Sequence, residues 1–128
     1  MYSIEVDDSA GIIALTLAGF WTTETLKAFA VELIATIERV RQRTPDFSIL
    51  SDSTDFPVQS AAVSEGFGQI MQAGAGRNTG RTAIVVASAL NRMQAERVFT
   101  AAKIRIFTDR DEARRWLSEP RTPTMTDL

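Results

Sequence analysis

The sequence predicts a single-domain α/β protein with a five-stranded mixed sheet, and three observations support this prediction. The first is Thr82–Ser88, an apolar run without polar alternation, as expected of an inner strand covered on both faces. The second is an amphipathic helix pattern after each strand from the second onward. The third is the length of 128 residues, which suits one domain with an ordinary core. We therefore predict the order β-β-α-β-α-β-α-β-α.

The first elements are a hairpin and the clearest helix of the chain. Tyr2–Val6 and Gly11–Leu17 are the predicted strands of the hairpin, and the turn between them is rich in residues that tolerate a tight backbone. Thr22 is the predicted N-cap of the helix, with Trp21 and Leu26 in the positions of a hydrophobic staple. Apolar residues then recur at steps of three and four as far as Val40, which predicts one buried helix face.

The middle of the chain contains a second inner strand and a weaker helix. Phe47–Ser51 is the predicted strand, and the polar run Asp52–Asp55 is expected to end it. Pro57–Ala73 is predicted to be helical, although Gly66 and Gly68 each weaken a helix by about 1 kcal/mol relative to Ala. Glycines at such positions usually permit close packing, which we expect here to be against the sheet.

The inner strand Thr82–Ser88 is followed by a third helix, a last strand and a final helix, predicted at Leu90–Ala102, Lys103–Thr108 and Asp109–Leu117. Asn91 with Gln94 and Asp109 with Glu112 occupy capping-box positions in the two helices. Short right-handed connections make the last four strands parallel and leave the first as an antiparallel edge, with the helices mainly on one face. The predicted domain is 1–117, and 118–128 is a predicted flexible tail.

Composition excludes several classes of function. The chain contains no Cys and no His, which removes disulfides, cysteine nucleophiles, Ser-His-Asp triads and zinc sites built on these residues. A net charge of −2 argues against nucleic-acid binding. No apolar run approaches the roughly 20 residues that cross a bilayer, and no signal peptide is recognisable, so we expect a cytoplasmic protein. No cofactor or metal is predicted.

The order of elements, together with Arg81–Ser88 and Lys103–Leu117, resembles the SpoIIAA-like family. This family is related to STAS domains and, more loosely, to CRAL-TRIO lipid-binding modules. In the antagonist branch of STAS domains, a partner kinase phosphorylates a serine or threonine at the start of the helix after the third strand, and a binding partner is released. The resemblance therefore implies a non-enzymatic regulatory module that binds a protein partner.

The stretch that matches the phosphorylated region is Asp52–Ser60, where Pro57–Ala62 replaces the family's Asp-Ser-Ser-Gly type of sequence. Ser60 is the closest positional match. The candidate phosphorylation or partner-binding residues are Asp52, Ser53, Thr54, Asp55 and Ser60. The structural alternative is that Ser53, Thr54 and Asp55 only turn the chain and cap the helix.

The CRAL-TRIO resemblance implies a second hypothesis, a carrier or sensor of a small apolar or lipid ligand. Four apolar residues near the same end of the sheet are the candidate groove: Phe20, Trp21, Phe56 and Val63. Alternatively, these residues close the end of the core. A carboxylate enzyme based on Asp52 and Asp55 is a third hypothesis, which lacks a basic or nucleophilic partner in the sequence.

The third predicted helix also suggests self-association. Its apolar residues Met93, Val98, Phe99 and Ala102 cannot all face inward, because Val98 lies halfway round the helix from Met93. A second apolar face of this kind, and the frequency of dimers among oligomers, favour a homodimer.

Overall fold

The computed structural model describes residues 1–75, 80–99 and 103–119. In these residues the predicted order is confirmed, with β1 at Tyr2–Asp7, β2 at Ile12–Ala18, α1 at Thr23–Arg41, β3 at Ser48–Asp55, α2 at Ala61–Ala75, β4 at Thr82–Val85, α3 at Ala89–Val98, β5 at Ile104–Phe107 and α4 at Arg110–Ser118. Three predictions lie partly outside the described residues: the connection at 76–79, the end of the third helix at Ala102, and the tail at 120–128.

The five strands form one sheet in the order β1-β2-β3-β4-β5. β1 pairs with β2 in antiparallel fashion, and the other neighbours are parallel. Every residue of β4 is buried, which confirms that the apolar run beginning at Thr82 is an inner strand. Because β2, β3, β4 and β5 run in the same direction, the loops that follow them meet at one edge of the sheet.

The helices cover the two faces of the sheet unequally, as predicted. On one face α1, α2 and part of α3 enclose the larger core, which includes Phe29, Ile49 and Ile84. On the other face α4 is the one described helix that covers a smaller core around Leu50 and Phe107. Successive residues of a strand point to opposite faces, so the side chains of β3 are divided between the two cores.

The start of α1 agrees with the sequence. The Thr22 hydroxyl accepts a hydrogen bond from Thr25 N at 3.1 Å, which confirms Thr22 as the N-cap. Trp21 and Leu26 are both buried. Asp109 is likewise confirmed as the N-cap of α4, because its side chain accepts a hydrogen bond from Asp111 N at 2.8 Å.

Two element boundaries differ from the prediction. β3 continues to Asp55 rather than ending at Ser51, because the polar residues alternate between a buried face and an exposed one. The predicted capping box of α3 is wrong: Ser88 is the N-cap, and its hydroxyl accepts a hydrogen bond from Asn91 N at 3.1 Å. Asn91 therefore lies inside the first turn of α3 rather than before it.

Candidate functional site

The start of α2 lies at the edge of the sheet where β2, β3 and β4 end. The helix was predicted to begin at Pro57, but the structure begins it at Ala61, after the connection 56–60. Ser60 O accepts the hydrogen bond from Ser64 N at 2.9 Å, and Ser60 Oγ accepts one from Val63 N at 3.3 Å. Ser60 is therefore the N-cap of α2, with an exposed side chain.

The amide of Gln59 holds this connection against the loop before α1. Its Oε1 accepts a hydrogen bond from Trp21 N at 2.8 Å. Its Nε2 donates to Gly19 O at 2.9 Å and to Pro57 O at 2.8 Å. The backbone adds a bond from Gly19 N to Asp55 O at 3.1 Å. Three hydrogen bonds from one side chain therefore fix the residue that precedes Ser60.

The other candidate phosphorylation residues do not gather around Ser60. Ser53 faces the larger core and is 7% exposed, so its hydroxyl is not accessible to a kinase in this conformation. Thr54 is exposed, and its hydroxyl donates to Asp52 Oδ1 at 2.7 Å. Asp52 points to the opposite face of the sheet from Ser53, where Arg110 Nη1 lies 3.7 Å from its Oδ2. Asp55 has an exposed side chain.

Two of the four residues of the predicted ligand groove are buried in the core, and a third points into solvent. Trp21 is buried at 6% exposure, and its indole N–H donates to Ala18 O at 3.1 Å. Val63 is also buried, at 1%. Phe20 points into solvent, with 80% of its surface exposed. Phe56 alone among the four lines a cavity.

Trp21 instead closes the end of the core within a cluster of aromatic rings. The ring centroids of Tyr2, Phe29 and Phe56 lie 5.7, 5.2 and 5.0 Å from that of Trp21. Such tilted and edge-to-face contacts each contribute about 0.5–1.5 kcal/mol beyond the burial of area. Burial raises the pKa of the Tyr2 phenol, and the nearby Glu32 carboxylate raises it further. The sequence leaves two roles open for the residues at this end of the sheet, and the burial of Trp21 and Val63 agrees with the one in which they close the end of the core.

Three large apolar side chains are exposed on the segments that follow β2, β3 and β4 at this edge. They are Phe20 at 80%, Val58 at 77% and Leu90 at 62% exposure. Phe20 belongs to the loop after β2, Val58 to the connection after β3, and Leu90 to the first turn of α3, which follows β4. We call Phe20, Val58, Ser60 and Leu90 the loop-end surface. Exposed large apolar residues on adjacent loops are typical of protein interaction sites.

A cavity of about 190 Å³ lies between α2, α3 and the sheet. Ser53, Ile84 and Val86 form its floor, and Phe67 and Phe99 are among the residues of its walls. None of the described residues that line it is charged. The sequence did not indicate this cavity, because its volume depends on how closely α3 approaches α2.

The fold and the site can now be compared with known proteins. The chain belongs to the SpoIIAA-like family, whose model matches residues 12–118, and this confirms the resemblance seen in the sequence. An uncharacterized protein from Shewanella loihica with a SpoIIAA-like fold is similar at a TM-score of 0.65 and 20% identity, over 91% of this chain and 93% of that one. No curated protein matches the chain.

A second solved structure extends the comparison of folds. An anti-sigma factor antagonist from Mycobacterium paratuberculosis is similar at a TM-score of 0.66 and 14% identity, over 93% of this chain and 96% of that one. At these identities the similarity establishes the fold. In the parts of the chain that the structure describes, no helix is long and apolar enough to cross a membrane.

Proposed function

We propose that this protein is a non-enzymatic regulatory module that binds a protein partner through its loop-end surface, and that phosphorylation of Ser60 releases this partner. The observation that carries the proposal is an exposed N-cap serine beside loops that present Phe20, Val58 and Leu90 to solvent. The SpoIIAA-like family supports it, as does the shared fold of an anti-sigma factor antagonist. A cytoplasmic location remains a prediction.

A phosphate on Ser60 would be well accommodated by the helix itself. It would add a charge of about −1.5 to −2 at the N-terminus of α2, where the first N–H groups of the helix favour an anion. The first turn of α2 contains no acidic residue that would repel it. The carboxylate of Asp52 lies on the other face of the sheet, next to Arg110. The phosphate would thus be tolerated by the fold.

The same phosphate would act against a partner. When a partner forms an apolar interface over Phe20 and Val58, the polar groups inside that interface lose their contact with water. A doubly charged phosphate on Ser60 would make this desolvation costly unless the partner supplied a cation. We therefore infer that the unmodified protein is the form that binds.

The test of the switch compares two substitutions that both preserve the helix cap. Asp and Asn are as good as Ser at an N-cap position, so Ser60→Asp and Ser60→Asn should leave stability nearly unchanged while differing by one charge. Affinity purification from the source organism should recover a specific partner with the wild type and with Ser60→Asn, and clearly less of it with Ser60→Asp. Equal recovery with both variants would contradict the switch. Fragmentation of the native protein should map a phosphate to Ser60.

The test of the surface uses Val58→Ser and a matched control on another element. Val58 and Val31 are exposed to similar extents, at 77% and 70%, but Val31 lies on α1, outside the loop-end surface. We expect Val58→Ser to reduce the affinity for the recovered partner and Val31→Ser to leave it unchanged. If the two substitutions have the same effect, the partner binds elsewhere.

Two alternatives receive less support from the site. A carrier or sensor of a small apolar or lipid ligand has less support at the predicted groove, because Trp21 and Val63 are buried. A long-chain lipid would also need more room than the cavity of about 190 Å³ between α2 and α3, since pockets for drug-sized ligands typically occupy about 300–1,000 Å³. A carboxylate enzyme would need Asp52 and Asp55 to act together. The Asp52 side chain instead accepts hydrogen bonds from Thr54 and lies beside Arg110.

A further inference from the structure

The cavity between α2 and α3 has the properties of a small ligand site that adjoins the connection before Ser60, because Val58 and Gln59 are among the residues that line it. The sheet forms its floor with Ser53, Ile84 and Val86, α2 contributes Phe67, and Phe99 at the end of α3 closes another side. Its volume is about 190 Å³. An enclosed apolar cavity of about 150 Å³ binds benzene, so this pocket, which is open to solvent on one side, has room for a single ring with a few additional atoms.

A buried pair of hydroxyl groups lies on this face of β3, and one member of the pair, Ser53, lines the cavity. Ser51 and Ser53 are 0% and 7% exposed, and their Oγ atoms are 3.2 Å apart. Two hydroxyl groups carry two donor hydrogens, and their mutual hydrogen bond uses one of them. Neither hydroxyl makes another hydrogen bond within the described part of the chain. One donor hydrogen of the pair is therefore left without an acceptor among the described residues.

An unused donor in a largely buried position is unfavourable unless a ligand or water accepts its hydrogen. Ser53 lines the cavity, so a bound molecule can reach this hydroxyl. The lack of charged residues in the described lining disfavours an ionic ligand, because such a ligand would lose its hydration without gaining a counter-charge. The cavity therefore favours a neutral ligand that has an apolar body and one hydrogen-bond acceptor.

We propose that the cavity binds a small neutral molecule, of the size of one ring, whose carbonyl or similar acceptor group receives a hydrogen bond from Ser53. The site does not depend on phosphorylation of Ser60. It would give the protein a ligand-binding function beyond partner binding, with the ligand held between the two helices that flank the loop-end surface.

Acetophenone and ethylbenzene are suitable probes, because they have nearly the same shape and only acetophenone carries a carbonyl group. Each is titrated into the unphosphorylated full-length protein and followed by the amide resonances of the residues that line the cavity. We expect saturable binding of both probes, with acetophenone binding about fivefold more tightly, as one net hydrogen bond would give. No saturable shift up to the solubility limit, or equal affinity for both probes, would overturn the proposal.

Two pairs of variants separate recognition from stability. Ser53→Ala and Ser51→Ala both remove the hydrogen bond between the hydroxyl groups, but only Ser53→Ala removes the donor that lines the cavity. We expect Ser53→Ala to weaken acetophenone about fivefold without affecting ethylbenzene, and Ser51→Ala to retain the preference for acetophenone. Loss of the preference in both variants would overturn the role of Ser53.

The second pair tests the location of the site. Ala95 lines the cavity from α3, whereas Ala89 on the same helix is exposed and does not line it. Ala95→Leu should fill the cavity and abolish binding of both probes, while Ala89→Leu should have no effect. Retained binding in Ala95→Leu would show that the probes bind elsewhere and would overturn the proposal.

Discussion

Gln59 shows how one side chain can determine the geometry of the candidate site. Its amide oxygen accepts a hydrogen bond from Trp21 N, and its amide nitrogen donates to two carbonyl oxygens, Gly19 O and Pro57 O. A glutamate has the same shape but, when ionised, can only accept hydrogen bonds. The donor side of the amide is therefore the part of Gln59 that a substitution can remove selectively.

We predict that Gln59→Glu destabilises the protein by roughly 1–3 kcal/mol at neutral pH. Two hydrogen bonds are lost, and a carboxylate oxygen is placed against two carbonyl oxygens. Urea unfolding measures the effect. Gln69→Glu on the exposed side of α2 makes the same change of charge and should have little effect. Equal losses in the two variants would show that charge, and not the amide bonds, is responsible.

Asp7 provides a prediction about pH at the opposite end of the sheet. A hydrogen bond from the Ser9 hydroxyl at 2.8 Å lowers the pKa of the Asp7 carboxyl below its ordinary value of 3.8, and Ala10 N adds a second bond at 3.1 Å. A lowered folded-state pKa means that this contribution to stability is complete above the unfolded-state pKa. It is lost as the pH falls through the lower folded-state value.

The stability of the wild type should consequently fall more steeply than that of Asp7→Asn as the pH decreases below about 4. Urea unfolding at a series of acidic pH values measures both slopes. Glu5→Gln, at an exposed position of the same hairpin, is the control for the loss of one charge. If Asp7→Asn and the wild type show parallel profiles, the carboxylate of Asp7 does not stabilise the hairpin.

At the scale of elements, the sequence predicts what depends on local pattern. α1 could be predicted from the N-cap at Thr22, the staple and the apolar spacing, all of which lie within the helix or next to it. The last part of β3 could not be predicted from the sequence, because nothing in the polar segment Asp52–Asp55 indicates that Ser53 is covered by α2 and α3. The predicted start of α2 at Pro57 is too early for a related reason. Gln59 is hydrogen-bonded to the loop between β2 and α1, which is distant in sequence, and these bonds hold residues 57–60 outside the helix.

The glycines of α2 were correctly expected to allow close packing, but the partner is different. A Cβ on Gly66 would lie 2.5 Å from Leu26 Cδ2 of α1, and one on Gly68 would lie 3.0 Å from Val98 Cγ1 of α3. The contacts are therefore with neighbouring helices rather than with the sheet. These two positions set how closely α1 and α3 approach α2.

We predict that the effect of Gly66→Ala changes sign with the residue at position 26. In the wild type, the gain in helix propensity of about 1 kcal/mol is outweighed by overpacking against Leu26, which typically costs about 1–3 kcal/mol. In a Leu26→Ala background the obstructing methyl group is absent, so the same substitution should stabilise by up to about 1 kcal/mol. A double-mutant cycle in urea measures the coupling. Equal effects in both backgrounds would refute the contact.

At the scale of the whole molecule, the sequence predicted the sheet and the end at which the site lies, because parallel strands place their following loops together. It did not predict the composition of the site. Whether Trp21 lines a groove or fills the core depends on its packing against Phe29 and Phe56, which no local pattern encodes. The cavity was also inaccessible from the sequence, since a space between side chains has no residue signature.

The unequal covering of the sheet leads to a prediction about where the domain ends. α4 is the one described helix that covers Leu50 and Phe107, and Arg81 holds its last turn by donating from Nη1 to Trp116 O, with the guanidinium 5.0 Å from the Trp116 ring centroid. We therefore predict that the domain extends at least to Glu119, whose carboxylate also lies 3.9 Å from Arg81. The sequence suggests a boundary two residues earlier, at Leu117.

A chain shortened to 1–119 should unfold at the same urea concentration as the full-length protein, because it retains the contacts that α4 makes with the described residues. A chain shortened to 1–108 should aggregate and bind a dye specific for exposed apolar surface, since it leaves one face of the sheet uncovered. Arg81→Lys should have an intermediate effect. It keeps the positive charge but loses the planar group that stacks on the Trp116 ring and donates to the Trp116 carbonyl oxygen. We expect it to lower the urea concentration at which half of the protein is unfolded, without causing aggregation. A stable, monomeric 1–108 chain would show that α4 is dispensable, and a destabilised 1–119 chain would show that residues 120–128 belong to the domain.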